Sequence, residues 1–289
     1  MITIILCFDC SHFNGQAIRI ILHSIFYMKT IITPTDFSTV SLNAVNYAAD
    51  LAMAVNANLL VVHATETPFG LNKNASMPGA EECEEKLIAL RKNLIRRTEN
   101  KIKITSKQVS GIIENELIKM CDYKHPFAVV MATHGASLRK LFFIGSIAVY
   151  LSRNLQYPVM VIPEHVNFKQ VNSIVMATDL KNINALPFEK ISTVVASFNA
   201  KLRILHVNEP GENFNHTSPE IEKLGSYLKD LNPVFHFLKS KNVQKGILVF
   251  AENNNADMIL TFPKKHAFFH NSESKQLIFN SPVTVMAIQ

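Results

Sequence analysis

The 289-residue sequence is poor in cysteine and has no apolar run long enough to cross a membrane. Its four cysteines stand at positions 7, 10, 83 and 121. A single C-x-x-C pair with no second pair argues against a zinc site. Scattered thiols favour a reducing compartment, so we expect a cytoplasmic protein that does not associate with membranes.

The first 28 residues lack two features of a secretory signal, a basic leading segment and a cleavage site of small residues. Met28 directly precedes the first predicted strand and resembles a true start. We therefore expect residues 1–28 to be an N-terminal extension that the protein does not need. Packing as an extra strand or helix is the alternative.

Charge and composition favour a soluble α/β protein with buried strands. Hydrophobic residues make up 48% of the chain and charged residues 18%, with a net charge of +6. The lysines and arginines are scattered apart from short groups such as Arg96-Arg97. Dispersed charge favours a solvated surface, and nucleic-acid binding is not expected.

The sequence repeats itself. Asp36 and Asp179 follow similar β-branched runs, and His63 and His206 end similar apolar segments. Both pairs are separated by 143 residues, so this stretch aligns without a gap. Self-similarity of this kind indicates two copies of one domain.

Each copy alternates β-branched runs with segments of helical period, which predicts a parallel sheet with crossover helices. The expected fold class is α/β, with two tandem Rossmann-like domains at 29–163 and 171–289. Each domain would be a five-stranded parallel sheet with helices on both faces. The predicted strands lie at 30–33, 59–63, 101–109, 128–131 and 158–162, and at 173–177, 202–207, 234–238, 258–261 and 283–288. In the first copy, the predicted helices lie at 38–55, 81–99, 111–121 and 146–154.

The fifth strands, Val159–Ile162 and Val283–Ile288, are apolar and would expose two sheet edges if they were left unpaired. We expect them to pair within the chain and form an intramolecular pseudo-dimer. The short linker at 163–170 favours packing of the two domains against each other. A homodimer of two whole chains is also compatible with the sequence.

The first copy carries a candidate nucleotide site. In an open parallel sheet, ligands bind at the carboxyl ends of the strands where the winding reverses. Asp36 follows the first strand and offers acceptors for a ribose hydroxyl or an adenine amine. Gly135 follows the fourth strand and lets the backbone turn close to a ligand. Gly145-Ser146 opens a helix whose free N–H groups suit phosphate.

The segments Pro34–Ser38 and Thr133-His134-Gly135-x9-Gly145-Ser146 resemble the universal stress protein family. The likeness is full over 29–163 and degraded over 172–288. It implies a Rossmann-like fold and, for one subgroup, ATP binding through a G-x2-G-x9-G-[S/T] loop. The residues that the resemblance assigns to ATP or AMP, with Mg²⁺ accompanying ATP, are Pro34, Thr35, Asp36, Ala64, Met131, Ala132, His134, Gly135, Gly145, Ser146, Ile147 and Ala148. Ala132 departs from the pattern, because it stands where the loop has its first glycine.

The second copy keeps Asp179 and His206, but its corresponding loop at 262–272 contains no glycine. We expect a degenerate domain that is structural or regulatory, or that takes a different ligand. His63 and His206 are predicted to be structural histidines, and Asp179 a remnant of helix capping. We expect Lys264-Lys265-His266 to form a solvated loop and Phe268-Phe269 to pack.

Three functions are consistent with these residues. The first is a stress-response module that binds adenine nucleotide without catalysis, or at most hydrolyses ATP slowly, because the G-x4-G-K-[S/T] and kinase signatures are missing. The second is an adenine-nucleotide hydrolase, which needs a glycine-rich loop after the first strand. Residues 33–39 contain no glycine, which argues against such an enzyme. The third is a ligand-free scaffold.

Overall fold

The computed structural model describes residues 29–65, 80–134, 146–180, 183–208, 218–263 and 277–289. Several predictions lie outside these residues: the dispensable extension at 1–28, the solvated loop at 264–266 and the packing of residues 268 and 269. The two loop glycines, Gly135 and Gly145, also lie outside them.

Ten strands form one continuous sheet. Their bounds are β1 Thr30–Pro34, β2 Asn58–Thr65, β3 Ile104–Ser110, β4 Ala128–Ala132, β5 Val159–Ile162, β6 Ser173–Ala177, β7 Lys201–Asn208, β8 Val234–Lys239, β9 Met258–Thr261 and β10 Thr284–Ala287. The order across the sheet is β3-β2-β1-β4-β5-β10-β9-β6-β7-β8. The first five strands are mutually parallel, and so are the last five.

Helices connect the strands as crossover units of an α/β fold require. They are α1 Thr39–Ala54, α2 Ala80–Arg97, α3 Ile113–Lys124, α4 Ser146–Asn154, α5 Phe188–Phe198, α6 Pro219–Tyr227 and α7 Val243–Asn253, with 3₁₀ turns at Ile183–Ala185 and Lys229–Leu231. Ser38 caps α1 as predicted, since its side chain accepts a hydrogen bond from the Ser41 N–H.

Two predicted boundaries are wrong for a local reason. The third strand begins at Ile104 instead of Lys101, because Glu99 and Asn100 both have positive φ and turn the chain first. The next helix begins at Ile113, because Gly111 has a φ of 123° and cannot be a helical residue.

Helices cover both faces of the sheet, which confirms the predicted fold class. Ile31 packs in a cluster with residues of α1 and α2, whereas the neighbouring Ile32 packs with residues of α3 and α4. The second five strands show the same alternation: Ile174 lies on the α5 and α6 side and Val175 on the α7 side. Burial on both faces explains the continuous apolar sequence of these strands.

The two fifth strands, β5 and β10, are neighbours in the sheet, as the sequence predicts. They run antiparallel, with Met160 opposite Met286 and Val161 opposite Val285. All residues of both strands are buried. Because this one pairing is antiparallel, the carboxyl ends of β1–β5 and of β6–β10 lie at opposite edges of the sheet.

Side chains reinforce this strand pairing. The Asn43 Nδ2 group of α1 donates to the carbonyl oxygen of Val166 in the linker at 3.0 Å. The Thr284 hydroxyl donates to Tyr47 Oη at 3.1 Å, and burial raises the pKa of Tyr47 to about 12. From the other half, the Ser197 hydroxyl of α5 accepts from Lys29 Nζ at 2.8 Å. The linker therefore does not separate the two halves.

Candidate functional site

The winding of the first half reverses between β1 and β4. β1 pairs with β2 on one side and with β4 on the other. A parallel sheet offers a ligand crevice at the carboxyl ends of two such strands. The predicted site segments therefore share this edge: the turn after β1, the end of β2, the end of β4 and the start of α4.

Thr35 holds the turn after β1 in shape. Its N–H donates to the carbonyl oxygen of Val62 at 2.8 Å, and its hydroxyl shares a 3.0 Å hydrogen bond with that of Ser41. The hydroxyl also accepts from the N–H of Phe37 at 3.0 Å. The side chain is only 6% exposed. Thr35 therefore acts on the backbone of the turn, and its hydroxyl does not face a ligand.

Asp36 is the exposed carboxylate of this turn. Its Oδ1 atom accepts from the N–H of Ser38 at 3.0 Å and from the Ser38 hydroxyl at 2.6 Å. The same Ser38 hydroxyl caps α1. These bonds fix the carboxylate at the N-terminal end of α1, where the helix dipole favours negative charge.

His63 supports the turn from β2. Its Nδ1 atom lies 2.8 Å from the carbonyl oxygen of Thr35. Because a carbonyl oxygen only accepts, Nδ1 carries the proton and donates. The imidazole also contacts the ring of Phe37, with 4.6 Å between the ring centroids. This contact helps hold Phe37 at a φ of 62°, a conformation that is rare for a bulky residue. The predicted structural role of His63 agrees with these contacts.

The same turn recurs in the second half with the 143-residue offset. His206 Nδ1 lies 3.0 Å from the carbonyl oxygen of Thr178, and the Thr178 N–H donates to the Leu205 carbonyl at 3.1 Å. Leu180, the counterpart of Phe37, also has a positive φ, of 59°, and its N–H donates to the Thr178 hydroxyl. The internal repeat is therefore visible in individual hydrogen bonds.

The prediction that Asp179 is a remnant of helix capping is wrong for α5. That helix begins at Phe188, and its N-cap position is Pro187. The 3₁₀ turn Ile183–Ala185 lies between Asp179 and the helix. Asp179 is half-buried.

The end of β4 places three more predicted residues at the same edge. Met131 is buried and Ala132 is half-buried; they are the last two residues of β4 and pair with Val161 and Ile162 of β5. The next residue, Thr133, donates its N–H to the Ile162 carbonyl and contacts His134 Nδ1 through its hydroxyl at 3.0 Å. The side chain of His134 thus points back along the strand end.

His134 also meets a residue that the sequence did not single out. Its Nε2 atom lies 3.9 Å from a carboxylate oxygen of Glu164, the second residue of the linker. Both side chains are partly exposed. No sequence motif marks Glu164, because its position depends on how the linker turns after β5.

The first turn of α4 offers backbone groups. The Ile147 side chain packs against the core cluster between the sheet and α3, and Ala148 is buried in that cluster. The two side chains therefore face the protein, and only their N–H groups remain as donors at the helix start. A helix start of this kind suits an anion.

Ala64 shows how the two halves differ. It is half-buried at the end of β2, on the same face of the sheet as α3 and α4. Its counterpart at the 143-residue offset is Val207, which is buried against α7. A Cβ atom on Gly246 would lie 3.2 Å from Val207 Cγ1, so α7 packs closely over this position. The larger side chain fills the space beside the second strand end.

None of the helices described is both long and apolar enough to cross a membrane. No group of three or more His, Cys, Asp or Glu side chains in the described ranges could hold a metal ion. Of the two cysteines in these ranges, Cys121 is buried, which raises the pKa of its thiol to about 12.

Comparisons with known proteins agree with this architecture. The sequence model of the universal stress protein family matches residues 28–163. A universal stress protein of Methanocaldococcus jannaschii is 30% identical over 138 residues, which cover 46% of this chain and 81% of that protein.

A solved structure shares the fold over nearly the whole chain. A universal stress protein of Archaeoglobus fulgidus superposes with a TM-score of 0.67 at 20% identity, over 92% of this chain and 98% of that one. A universal stress protein solved in complex with cAMP covers 48% of this chain and 99% of its own, at 20% identity and a TM-score of 0.39. With its relative at 30% identity and its match to the family's sequence model, the chain belongs to the universal stress protein family.

Proposed function

We propose that the first half of the chain, residues 29–163, is a domain that binds an adenine nucleotide without catalysis. The observation that carries this proposal is the meeting of an oriented carboxylate, Asp36, with the end of β4 and the start of α4 at one sheet edge. The carboxylate would accept hydrogen bonds from ribose or adenine. The N–H groups of the first turn of α4 would receive the phosphates.

The contacts around Asp36 support a preformed site. Ser38 orients the carboxylate, and the Thr35 and His63 contacts fix the backbone on either side of it. A ligand then meets groups that are already in place, which lowers the entropic cost of binding. Thr35, Met131 and Ile147 would shape this pocket through the backbone, because their side chains are turned inward.

Binding without rapid turnover follows from the polar groups at this edge. His134 is one candidate base at this edge, and its two ring nitrogens face the Thr133 hydroxyl and the Glu164 carboxylate. Neither contact places the imidazole as a base for water. We therefore propose slow ATP hydrolysis at most, with Mg²⁺ needed only as a companion of ATP.

We further propose that residues 171–289 form a degenerate second copy that serves as the partner of the first. The β5–β10 pairing would replace the contact between two separate subunits, so that the chain is an intramolecular pseudo-dimer. Val207 and the glycine-free loop after β9 argue against an equivalent nucleotide site there. A cytoplasmic location and a regulatory role in stress response belong to the same proposal.

The test is to identify nucleotide in the purified protein and then to titrate it. Mass spectrometry of the small molecules released on denaturation should show AMP, ADP or ATP. Calorimetry with ATP, ADP, AMP and cAMP, with and without Mg²⁺, then gives the preference. Asp36→Ala should weaken binding about tenfold or more, from the loss of one or two hydrogen bonds. Asp122→Ala, which changes an exposed carboxylate on α3, should leave affinity unchanged.

A ligand-free scaffold is the second candidate, and one observation favours it. The Thr35 turn is held by hydrogen bonds within the chain, and the second half keeps three of these bonds without a glycine loop. The turn could therefore be retained for folding alone. Protein that carries no extracted nucleotide and gives no binding heat with any of the four nucleotides would select the scaffold over the nucleotide site.

A further inference from the structure

One stretch of the chain is more basic than the rest. Residues 91–107 contain seven lysines and arginines and a single glutamate, Glu99. Their net charge of +6 equals that of the whole chain. Immediately before this stretch, residues 81–86 contain four glutamates and one lysine. Helix α2 contains the acidic group and the first four basic residues of the stretch, Arg91, Lys92, Arg96 and Arg97, so its first half is acidic and its second half is basic.

The solvent face of α2 presents these charges in order. Side chains at a spacing of three or four residues share one face of a helix. The residues that form this face, here called the α2 stripe, are Glu81, Glu85, Ile88, Lys92 and Arg96. All five are exposed, and Ile88 is 37% exposed although it is apolar. Leu87 and Leu94 lie on the opposite face and are buried in the core.

Most charged side chains of the α2 stripe form no ion pair with other described residues of the chain. In the described ranges, Glu81, Glu85 and Lys92 form no ion pair, and Arg96 contacts only Asn93 of the same helix. Arg97, by contrast, is held by Asp50. A shallow depression lies beside the basic half of the stripe, lined by Ala89, Lys92, Asn93, Ile95 and Arg96.

We propose that the α2 stripe is a self-association surface that receives the α2 stripe of a second copy of this chain. Placed antiparallel about a two-fold axis between residues 88 and 89, the helices bring Glu81 opposite Arg96 and Glu85 opposite Lys92 of the second copy. Ile88 then faces Ala89, whose small side chain allows close approach. The surface is self-complementary, as a two-fold interface requires.

Charge complementarity favours a second copy over a polyanion. A nucleic acid would fit the basic half of the stripe but would meet Glu81 and Glu85 at the other end. An antiparallel copy places opposite charges against both the acidic and the basic half of the stripe, and it covers the exposed Ile88 between them. A helix of 18 residues is about 27 Å long, so the contact is small and the dimer weak. Exposed charge pairs also make it sensitive to salt.

A charge-swap experiment on the full chain tests this surface. Glu81→Lys/Glu85→Lys makes the stripe basic, and Lys92→Glu/Arg96→Glu makes it acidic. Sedimentation velocity over a concentration series at low salt should show each variant self-associating more than tenfold more weakly than the natural chain. An equimolar mixture of the two variants should form a heterodimer of about natural affinity, since all four charge contacts are then complementary. Recovery in the mixture also shows that both variants are folded.

Two matched controls change charge elsewhere. Glu220→Lys/Glu222→Lys alters exposed acids on α6, and Lys103→Glu/Lys107→Glu alters one exposed base just before β3 and one on β3. Both should associate like the natural chain. A natural chain that stays monomeric at low salt up to several hundred micromolar would overturn the proposal. So would association that survives both stripe variants, or a mixture that does not recover. Binding of a labelled single-stranded DNA by a monomer, lost in Lys92→Glu/Arg96→Glu, would assign the basic half to a polyanion instead. Nucleotide is absent throughout, so failure here leaves the proposed nucleotide site untouched.

Discussion

Asp257 is expected to be a main anchor of the start of β6, and its removal should destabilise the protein strongly. Its Oδ2 atom accepts from the N–H groups of Asn172 and Ser173 at 2.8 and 3.0 Å, and its Oδ1 atom pairs with Lys169 at 2.8 Å. The carboxylate side chain is 8% exposed, whereas that of Lys169 is 67% exposed. Asp257→Ala removes all three contacts and leaves two backbone donors without their acceptor.

The size of this destabilisation follows from the two hydrogen bonds to backbone N–H groups. A hydrogen bond to a charged group contributes about 1.5–3 kcal/mol. The Asn172 N–H is solvent-exposed and can donate to water when Asp257 is removed, so the loss of this hydrogen bond costs little. We therefore expect Asp257→Ala to lower the free energy of unfolding by about 2–4 kcal/mol at pH 7. Lys169→Met should cost less than about 1 kcal/mol, because an exposed partner contributes little.

The effect should depend on pH. Burial raises the pKa of Asp257, but the Lys169 ammonium and the Asn172 and Ser173 N–H groups outweigh it and hold the pKa below the ordinary value of 3.8. A carboxyl whose pKa is lowered by folding stabilises the protein above its unfolded pKa and loses that contribution as the pH falls through its folded pKa. The difference between the natural chain and Asp257→Ala should stay constant from pH 7 to 5 and shrink below about pH 4.

Urea unfolding followed by circular dichroism at pH 7, 5 and 3 measures these differences. Asp257→Asn serves as the isosteric control, and it should show an intermediate loss because it keeps one acceptor without the charge. A loss below about 1 kcal/mol for Asp257→Ala at pH 7, or a loss that does not change with pH, would refute the reasoning.

Three further predictions follow from the fold and the site. Tyr47→Phe leaves the buried Thr284 hydroxyl without its acceptor and should lower the free energy of unfolding by about 1–3 kcal/mol in urea titrations. Ala132→Gly restores the family residue at the end of β4 and should tighten nucleotide binding in calorimetry; unchanged affinity would mean that the methyl group does not crowd the loop. A chain that starts at Met28 should keep its Tm, and a loss of several degrees would show that residues 1–27 pack.

The sequence predicted the fold well because its signals are local or repeated. β6, β9 and α4 have the predicted bounds, and the predicted pairing of β5 with β10 is present. Hydrophobic runs and the 143-residue repeat carry that information directly. The wrong boundaries at Ile104 and Ile113 both follow residues with positive φ, which hydrophobic periodicity does not detect.

The site was predicted less completely. The sequence indicated that Asp36, Ala64 and His134 lie at the carboxyl ends of strands that share one sheet edge, and they do. It did not indicate the left-handed conformation of Phe37, because a phenylalanine rarely adopts it. It also missed Glu164, since contact with His134 depends on the path of the linker rather than on any residue pattern.

The antiparallel β5–β10 pairing has a consequence for how the two copies can diverge. In an assembly of two identical chains, every substitution in that contact or in a loop occurs twice. Here Met160 and Met286 belong to one chain and are encoded by separate codons, so either residue can be substituted without the other. Covalent linkage also makes the pairing independent of protein concentration, because each strand always has its partner nearby. Under the proposed pseudo-dimer, residues 171–289 can complete the sheet for the first half whether or not their loop after β9 contains glycine.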